Sequence, residues 1–306
     1  MLSGIDGSNA SFLADLNRIQ NNISQTTNQI SSGVRVSQAS DDPAAVGSIL
    51  EDQNQIDQIN QVQTNLALAG TDAQTADGAL ESASSLMNQL ISIAGQGTSL
   101  TANGTTNTSL AQEVQQIQQQ LVSIANTTVD GRYIFGGDDP TTQPYTYTGN
   151  APEGVVQNNT AANTNVISDA SGNTIVPRMT AQQIFDAQTS PGVPAAGNVF
   201  NAVYSLSQAL LSNNQAGIQA AGASISAAAS QVSQANAFYG STENWIQQAT
   251  SEASSSLTNL QSALGGLRDT DVAAAATQLT SDQTSLEAAL SSHADLSTKS
   301  LFSYLG

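Results

Sequence analysis

Two apolar stripes with seven-residue spacing, lying near opposite ends of the chain, constrain the fold more than any other feature. In the first, apolar residues fall at Phe12, Leu16, Ile19, Ile23 and Ile30, alternately four and three apart, with Thr26 filling the missing place. A helix with so narrow a stripe presents a seam, and a seam needs a partner helix. An ordinary amphipathic helix resting on a core is the alternative. The stretch NQISSGVRVSQASDDPAAVGSIL, residues 28–50, then interrupts the pattern. Gly33 and the polar run 37–42 stop one helix, while Asp42 before Pro43 supplies an N-cap and a first-turn proline for the next.

After Pro43 the apolar positions run through Val46, Ile49, Ile56, Ile59, Val62 and Leu66, then Ala69, Ala73, Ala76, Leu80, Ala83, Met87, Leu90 and Ala94. A helix over 43–94 would be on the order of 75 Å long at about 1.5 Å per residue. Gly95 and Gly97 end it, and TSLTANGTTNT turns the chain back. Ser109 and Gln112 form a capping box for a return helix bearing Leu110, Val114, Ile117, Leu121 and Ile124.

At VDGRYIFGGDDP, residues 129–140, the pattern becomes extended. The stretch to 197 reads as a small β-containing insertion, with YTYT at 145–148, two short strands around the turn in VISDASGNTIV (166–176), and a helical turn or two over 180–187. Helical spacing resumes at Val199, Val203, Leu206 and Leu210, pauses at SNNQAG, and continues through Ile218, Ile225, Val232, Tyr239, Trp245, Leu257, Leu260 and Leu264. Gly265 and Gly266 break it. Thr270 caps a last segment, the second stripe, carrying Val272, Leu279, Leu286, Leu290 and Leu301.

The expected fold is mainly α, an elongated antiparallel helical rod with coiled-coil ends and a small β-containing insertion. Residues 1–42 form an N-terminal assembly helix, 43–137 the first part of the core rod, 138–197 an outward insertion, 198–267 the second part of the rod, and 268–306 a C-terminal assembly helix.

Composition narrows the chemistry. With a formal net charge of −18 and only six basic residues, the chain would repel phosphate backbones, which excludes nucleic acid as a partner. The absence of cysteine removes disulfides, thiolate metal sites and a thiol nucleophile. His293 is the only histidine, which excludes a multi-histidine metal site and a His-based triad. Asp41 and Asp42 read as helix-capping residues, and Asp138 and Asp139 as a solvated turn. Gly136 and Gly137 lack the companions of a phosphate cradle. No cofactor, metal or catalytic residue is expected, and the chain is read as a non-enzyme. No stretch approaches the roughly 18 apolar residues of a membrane span, and the N-terminus lacks the basic and apolar regions of a cleaved signal peptide.

Several of these segments also carry a family resemblance. QISSGVRVSQASDDPAA at 29–45 and TADGALESASSLMNQLISIAGQG at 75–97 resemble the N-terminal region of bacterial flagellins and their relatives. DGRYIFGG at 130–137, RDTDVAAAATQLTSDQTSLEAAL at 268–290 and SLFSYLG at 300–306 are most similar to the hook-filament junction branch of that superfamily. The resemblance implies a structural, non-enzymatic subunit of the extracellular flagellum, exported unfolded by the flagellar type III route and connecting hook to filament. Flagellin itself, or a secreted coiled-coil adhesin, are the alternatives. It also implies assembly through coiled-coil terminal segments with other copies of the chain, with neighbouring hook-associated and flagellin subunits, and with an export chaperone at the C-terminal segment. The candidate assembly contacts are Phe12, Leu16, Ile19, Ile23 and Ile30, with Arg35 as a contact between subunits, and Leu279, Leu286, Leu290 and Leu301 opposite.

Overall fold

The computed structural model describes residues 2–99 and 104–305, and the side chains of 10–99 and 104–294. The chain divides into two compact units, Met1–Gln58 with Leu257–Gly306, and Ile59–Ser256.

The first unit holds α1 (Leu2–Ser32), the start of α2 (Pro43–Gly97), the end of α6 (Gln215–Arg268) and α7 (Val272–Leu305). The expected break is present. Helix α1 ends at Gly33, whose φ of 72° lets its N–H bond back to the Gln29 carbonyl at 2.9 Å, a left-handed stop that favours glycine. Asp42 starts α2 as expected, its Oδ1 accepting from the Ala45 N–H at 3.2 Å. Val36, Ile49 and Leu264 form a small buried cluster, with Val46, Ile56 and Leu267 packed against it.

Two expectations about helix ends are corrected here. The helix runs through Gly265 and Gly266 to Arg268, because neither glycine adopts positive φ and the Asp269 N–H still bonds to the Gly265 carbonyl at 2.8 Å. Asp271, not Thr270, caps α7, its Oδ1 accepting from the Ala273 and Ala274 N–H groups at 3.0 and 3.1 Å.

The second unit is built on helical segments of α2, α3 (Gly104–Ala125), α5 (Val199–Leu211) and α6, which share one apolar core. The stripe read from the sequence, Leu66 to Ala94 in steps of three and four, is buried at every position. On α6 the seven-residue series Ile218, Ile225, Val232 and Tyr239 is likewise buried, with Ala221, Ala228 and Ala235 between. Small residues at alternate positions let helices approach closely where few bulky side chains are available. Helix α3 starts five residues before Ser109, so the expected capping box is not one. The Ser109 hydroxyl instead bonds back to the Thr105 carbonyl at 3.3 Å inside the helix. Residues 100–103 of the expected turn lie outside the described residues.

Between α3 and α5 lie four two-stranded antiparallel pairs and one short helix, the first pair just ahead of the insertion and the other three within it. The pairs are β1 (Thr128–Val129) with β2 (Arg132–Tyr133), β3 (Tyr145–Tyr147) with β4 (Val155–Gln157), β5 (Ile167–Ser168) with β6 (Thr174–Ile175), and β7 (Gln188–Ser190) with β8 (Val193–Pro194). Helix α4 (Ala181–Phe185) begins with a complete capping box between Thr180 and Gln183. With strands of two or three residues, the insertion relies on its side chains reaching the helical core.

Candidate assembly interface

Hydrogen bonds bring the two chain breaks of the first unit together. The Arg35 and Val36 N–H groups donate to the Arg268 carbonyl at 2.7 and 3.2 Å, and the Thr270 N–H donates to the Gly33 carbonyl at 2.9 Å. Val34 and Asp269 form an antiparallel bridge. Arg35 adds side-chain contacts, Nη1 lying 3.0 Å from Asp42 Oδ2 and Nη2 donating to the Leu267 carbonyl at 2.6 Å. Arg35 was expected to contact another subunit. Within its own chain the guanidinium is engaged where the break folds it back across the end of α6, with 43% of the side chain still exposed.

The carboxylates around the break are strongly hydrogen-bonded. Arg35 and then the Ala45 N–H hold the Asp42 carboxyl below its ordinary range, and the Gln38 and Ser37 N–H groups do the same for Asp41. Asp42 caps α2 as the sequence led one to expect, while Asp41 is not a helix cap and braces the turn at Ser37 and Gln38.

From this clasp α1 and α7 run antiparallel and pack on each other. Phe12, Leu16, Ile19, Ile23 and Ile30 are half-buried and Thr26 is buried, so the first stripe faces its partner at every position. On α7 the covered positions are Ala275, Leu279, Asp282, Leu286, Ala289 and His293, alternately four and three apart. The Phe12 ring stacks on the His293 imidazole, centroids 4.0 Å apart and planes 7° apart. Leu279 and Leu286 therefore lie on the seam. Leu290 does not, being 48% exposed. A step of four from Leu286 lands on the neighbouring face, and Ala289 and His293 hold the seam positions instead. Leu301 lies outside the residues whose side chains are described.

Sequence reasoning passed over His293 and Asp282, which the period from Leu279 through Leu286 would have flagged. Neither was among the expected contacts, because polar residues are not expected in an apolar seam.

In the second unit, the DGRYIFGG segment roots the insertion. Asp130 and Gly131, with φ of 51° and 75°, make the tight β1–β2 turn. Arg132 reaches back to Asp72 of α2 at 3.5 Å, and Arg178 meets the other carboxylate oxygen at 2.8 Å. Phe135 is buried edge-on to Phe185 and Tyr239, each at 6.2 Å between centroids. Gly136 is required by close packing, since a Cβ there would stand 2.8 Å from the Asp139 carbonyl oxygen.

Nearby, Tyr145 donates to Asp186 Oδ2 at 2.9 Å, and the Asn198 amide donates to Asp186 Oδ1 at 2.8 Å and Glu153 Oε1 at 3.3 Å. Burial, together with the Asp186 charge, pushes Glu153 up to about 7, and burial raises the Tyr145 phenol as well. Among the described residues no group of three or more His, Asp or Glu is placed to hold a metal ion, and no helix is long and apolar enough to cross a membrane.

Two family models match the chain. The bacterial flagellin N-terminal helical region matches residues 7–139, and the bacterial flagellin C-terminal helical region matches residues 223–305. A flagellin of Clostridium tyrobutyricum is 32% identical over 116 residues, covering 38% of this chain and 31% of the relative. Flagellar hook-associated protein 3 of Salmonella typhimurium is 32% identical over 175 residues, covering 54% of this chain and 51% of the relative. The chain thus spans between about a third and about half of the length of these curated relatives. A crystal structure of flagellar hook-associated protein 3 from Legionella pneumophila superposes with a TM-score of 0.61 at 15% identity, covering 72% of this chain and 98% of that one, which establishes the shared fold.

Proposed function

The chain belongs to the bacterial flagellin family, and from that premise we propose that it is a structural subunit joining hook to filament in the bacterial flagellum. The observation that carries this reading is the α1–α7 pair. Two segments from opposite ends of the sequence meet along a seven-residue seam, and their roots are sewn together at the break. A helix pair of this kind, with a thin and only half-covered seam, is suited to finish its burial against neighbouring copies. The match to hook-associated protein 3 covers more of this chain than the match to flagellin, which favours the junction over the filament.

On this reading the subunit is exported unfolded with a chaperone on its C-terminal segment. It works outside the cell, and its paired ends complete their burial on meeting other copies and the adjoining hook-associated and flagellin subunits. It acts mechanically and performs no catalysis. Immunogold electron microscopy of isolated hook-filament assemblies, with antibody against residues 140–195, tests the assignment. Gold confined to the point where hook meets filament supports it. Label along the filament would make the chain a flagellin, and absence of label with a working antibody would return the adhesin reading.

A further inference from the structure

Within Ile59–Ser256 the chain carries two basic residues, Arg132 and Arg178, against twelve Asp and Glu. Both arginines are drawn to one carboxylate. Arg132 Nη2 stands 3.5 Å from Asp72 Oδ1, and Arg178 Nη2 stands 2.8 Å from Asp72 Oδ2. Among the described residues neither guanidinium pairs with a second carboxylate, so one positive charge at this place is uncompensated. Asp72 is buried, but the side chains of Arg132 and Arg178 are 37% and 22% exposed, and the surplus charge reaches the surface.

A guanidinium offers five N–H donors in a planar fork that grips a carboxylate at two points. Here two forks share one carboxylate, and at 3.5 Å Arg132 stands at the edge of bonding distance. One more carboxylate would meet both the surplus charge and the idle donors. Copies of this chain are rich in that group, with 24 Asp and Glu against six Lys and Arg. At a net charge of −18 two copies repel at a distance, so a contact between them gains most where one of them is locally positive. Within this unit no other place carries a basic side chain.

We propose that Arg132 and Arg178 receive an acidic side chain from a second copy of this chain, closing a set of two guanidiniums and two carboxylates between subunits. The contact deepens the structural reading above and rests on it, since it takes self-assembly as given. Asp72 then has a part beyond pairing. It holds both forks in place before the partner arrives, which lowers the entropy lost on contact.

The test uses the full-length chain and two variants. Arg132→Gln removes the more exposed guanidinium and leaves Arg178 on Asp72, and circular dichroism of the isolated variant verifies its fold. Sedimentation over a concentration series is expected to show association of the unaltered chain that weakens as salt is raised, and about fivefold weaker association of Arg132→Gln. Arg132→Lys keeps the charge and supplies an amine, which a carbodiimide couples to any carboxylate in contact. Because the only other lysine is Lys299, products at residue 132 stand against little background. In a mixture of isotope-labelled and unlabelled copies, mass spectrometry is expected to find residue 132 of one copy joined to an Asp or Glu of another. Coupling to Asp72 of the same chain alone, or equal association of Arg132→Gln and the unaltered chain, would overturn the contact and leave self-assembly standing. Copies that stay monomeric throughout would overturn the structural reading along with it.

Discussion

Phe12 and His293 stack face to face, 4.0 Å between centroids, although they lie near opposite ends of the chain. Their contact fixes the pairing of the terminal helices far from the clasp at Gly33 and Thr270, which fixes it at the other end. Two such anchors on one antiparallel pair determine which residues face each other between them.

Removing the stack should loosen only this pair. Phe12→Ala is expected to weaken the α1–α7 packing by about 1–2 kcal/mol, the loss of an aromatic stack plus part of a half-buried ring. Hydrogen exchange should show faster amide opening over residues 10–25, with the core around Leu80 and Ile225 unchanged. Equal acceleration in both units would count against this account.

Ile23→Asp should be far more severe than its half-buried position suggests. The new carboxylate would enter level with Asp282, and two like charges would share a poorly solvated seam. The terminal helices are expected to part and assembly to fail, while the thermal transition of residues 59–256 is retained. Circular dichroism and sedimentation of the isolated variant, followed by an assembly assay, read the two effects separately.

Asp72 is 3% exposed and depends on two arginines, Arg132 of β2 and Arg178 of the insertion. Arg178→Ala removes the closer one, and a loss of about 2 kcal/mol is expected. Removing Arg132 as well leaves a buried carboxylate unpaired, for a total of about 3–5 kcal/mol. Adding Asp72→Asn should restore much of the loss, because the charge that needed partners is gone. Urea unfolding of the three variants beside the unaltered protein checks the order.

Glu153 ties stability to pH. Its folded value is raised from 4.5 to about 7, so the folded form holds its proton more tightly than the unfolded form. The stabilisation is fully present below pH 4.5 and is lost as pH rises through about 7. Because solvent still reaches part of this side chain, the change is expected to be only about 1–2 kcal/mol. Glu153→Gln should flatten the dependence. Thermal midpoints measured between pH 4.5 and 8 for both proteins decide it.

How much could be read in advance varied with the kind of interaction. The stripe from Leu66 to Ala94, the stop at Gly33 and the cap at Asp42 were legible, because apolar period and capping chemistry depend on residues a turn apart. The family was legible from contiguous motifs such as QISSGVRVSQASDDPAA. The end of α6 was misread, since Gly265 and Gly266 break a helix only if their backbone leaves it, and here it does not. The cap of α7 was misplaced by one residue for a similar local reason, Asp271 competing successfully with Thr270.

By itself, then, the sequence determined that this chain is mainly helical, that its ends carry seams needing partners, and that it belongs with the flagellins. Only the tertiary structure decided that Arg35 reaches Leu267 in its own chain, that His293 rather than Leu290 meets Phe12, and that Asp282 lies buried in the seam. The physical reason is range. Local spacing states which face of a helix is apolar, but the partner and the register come from contacts between segments more than 200 residues apart, where one step of three instead of four moves a side chain from seam to solvent.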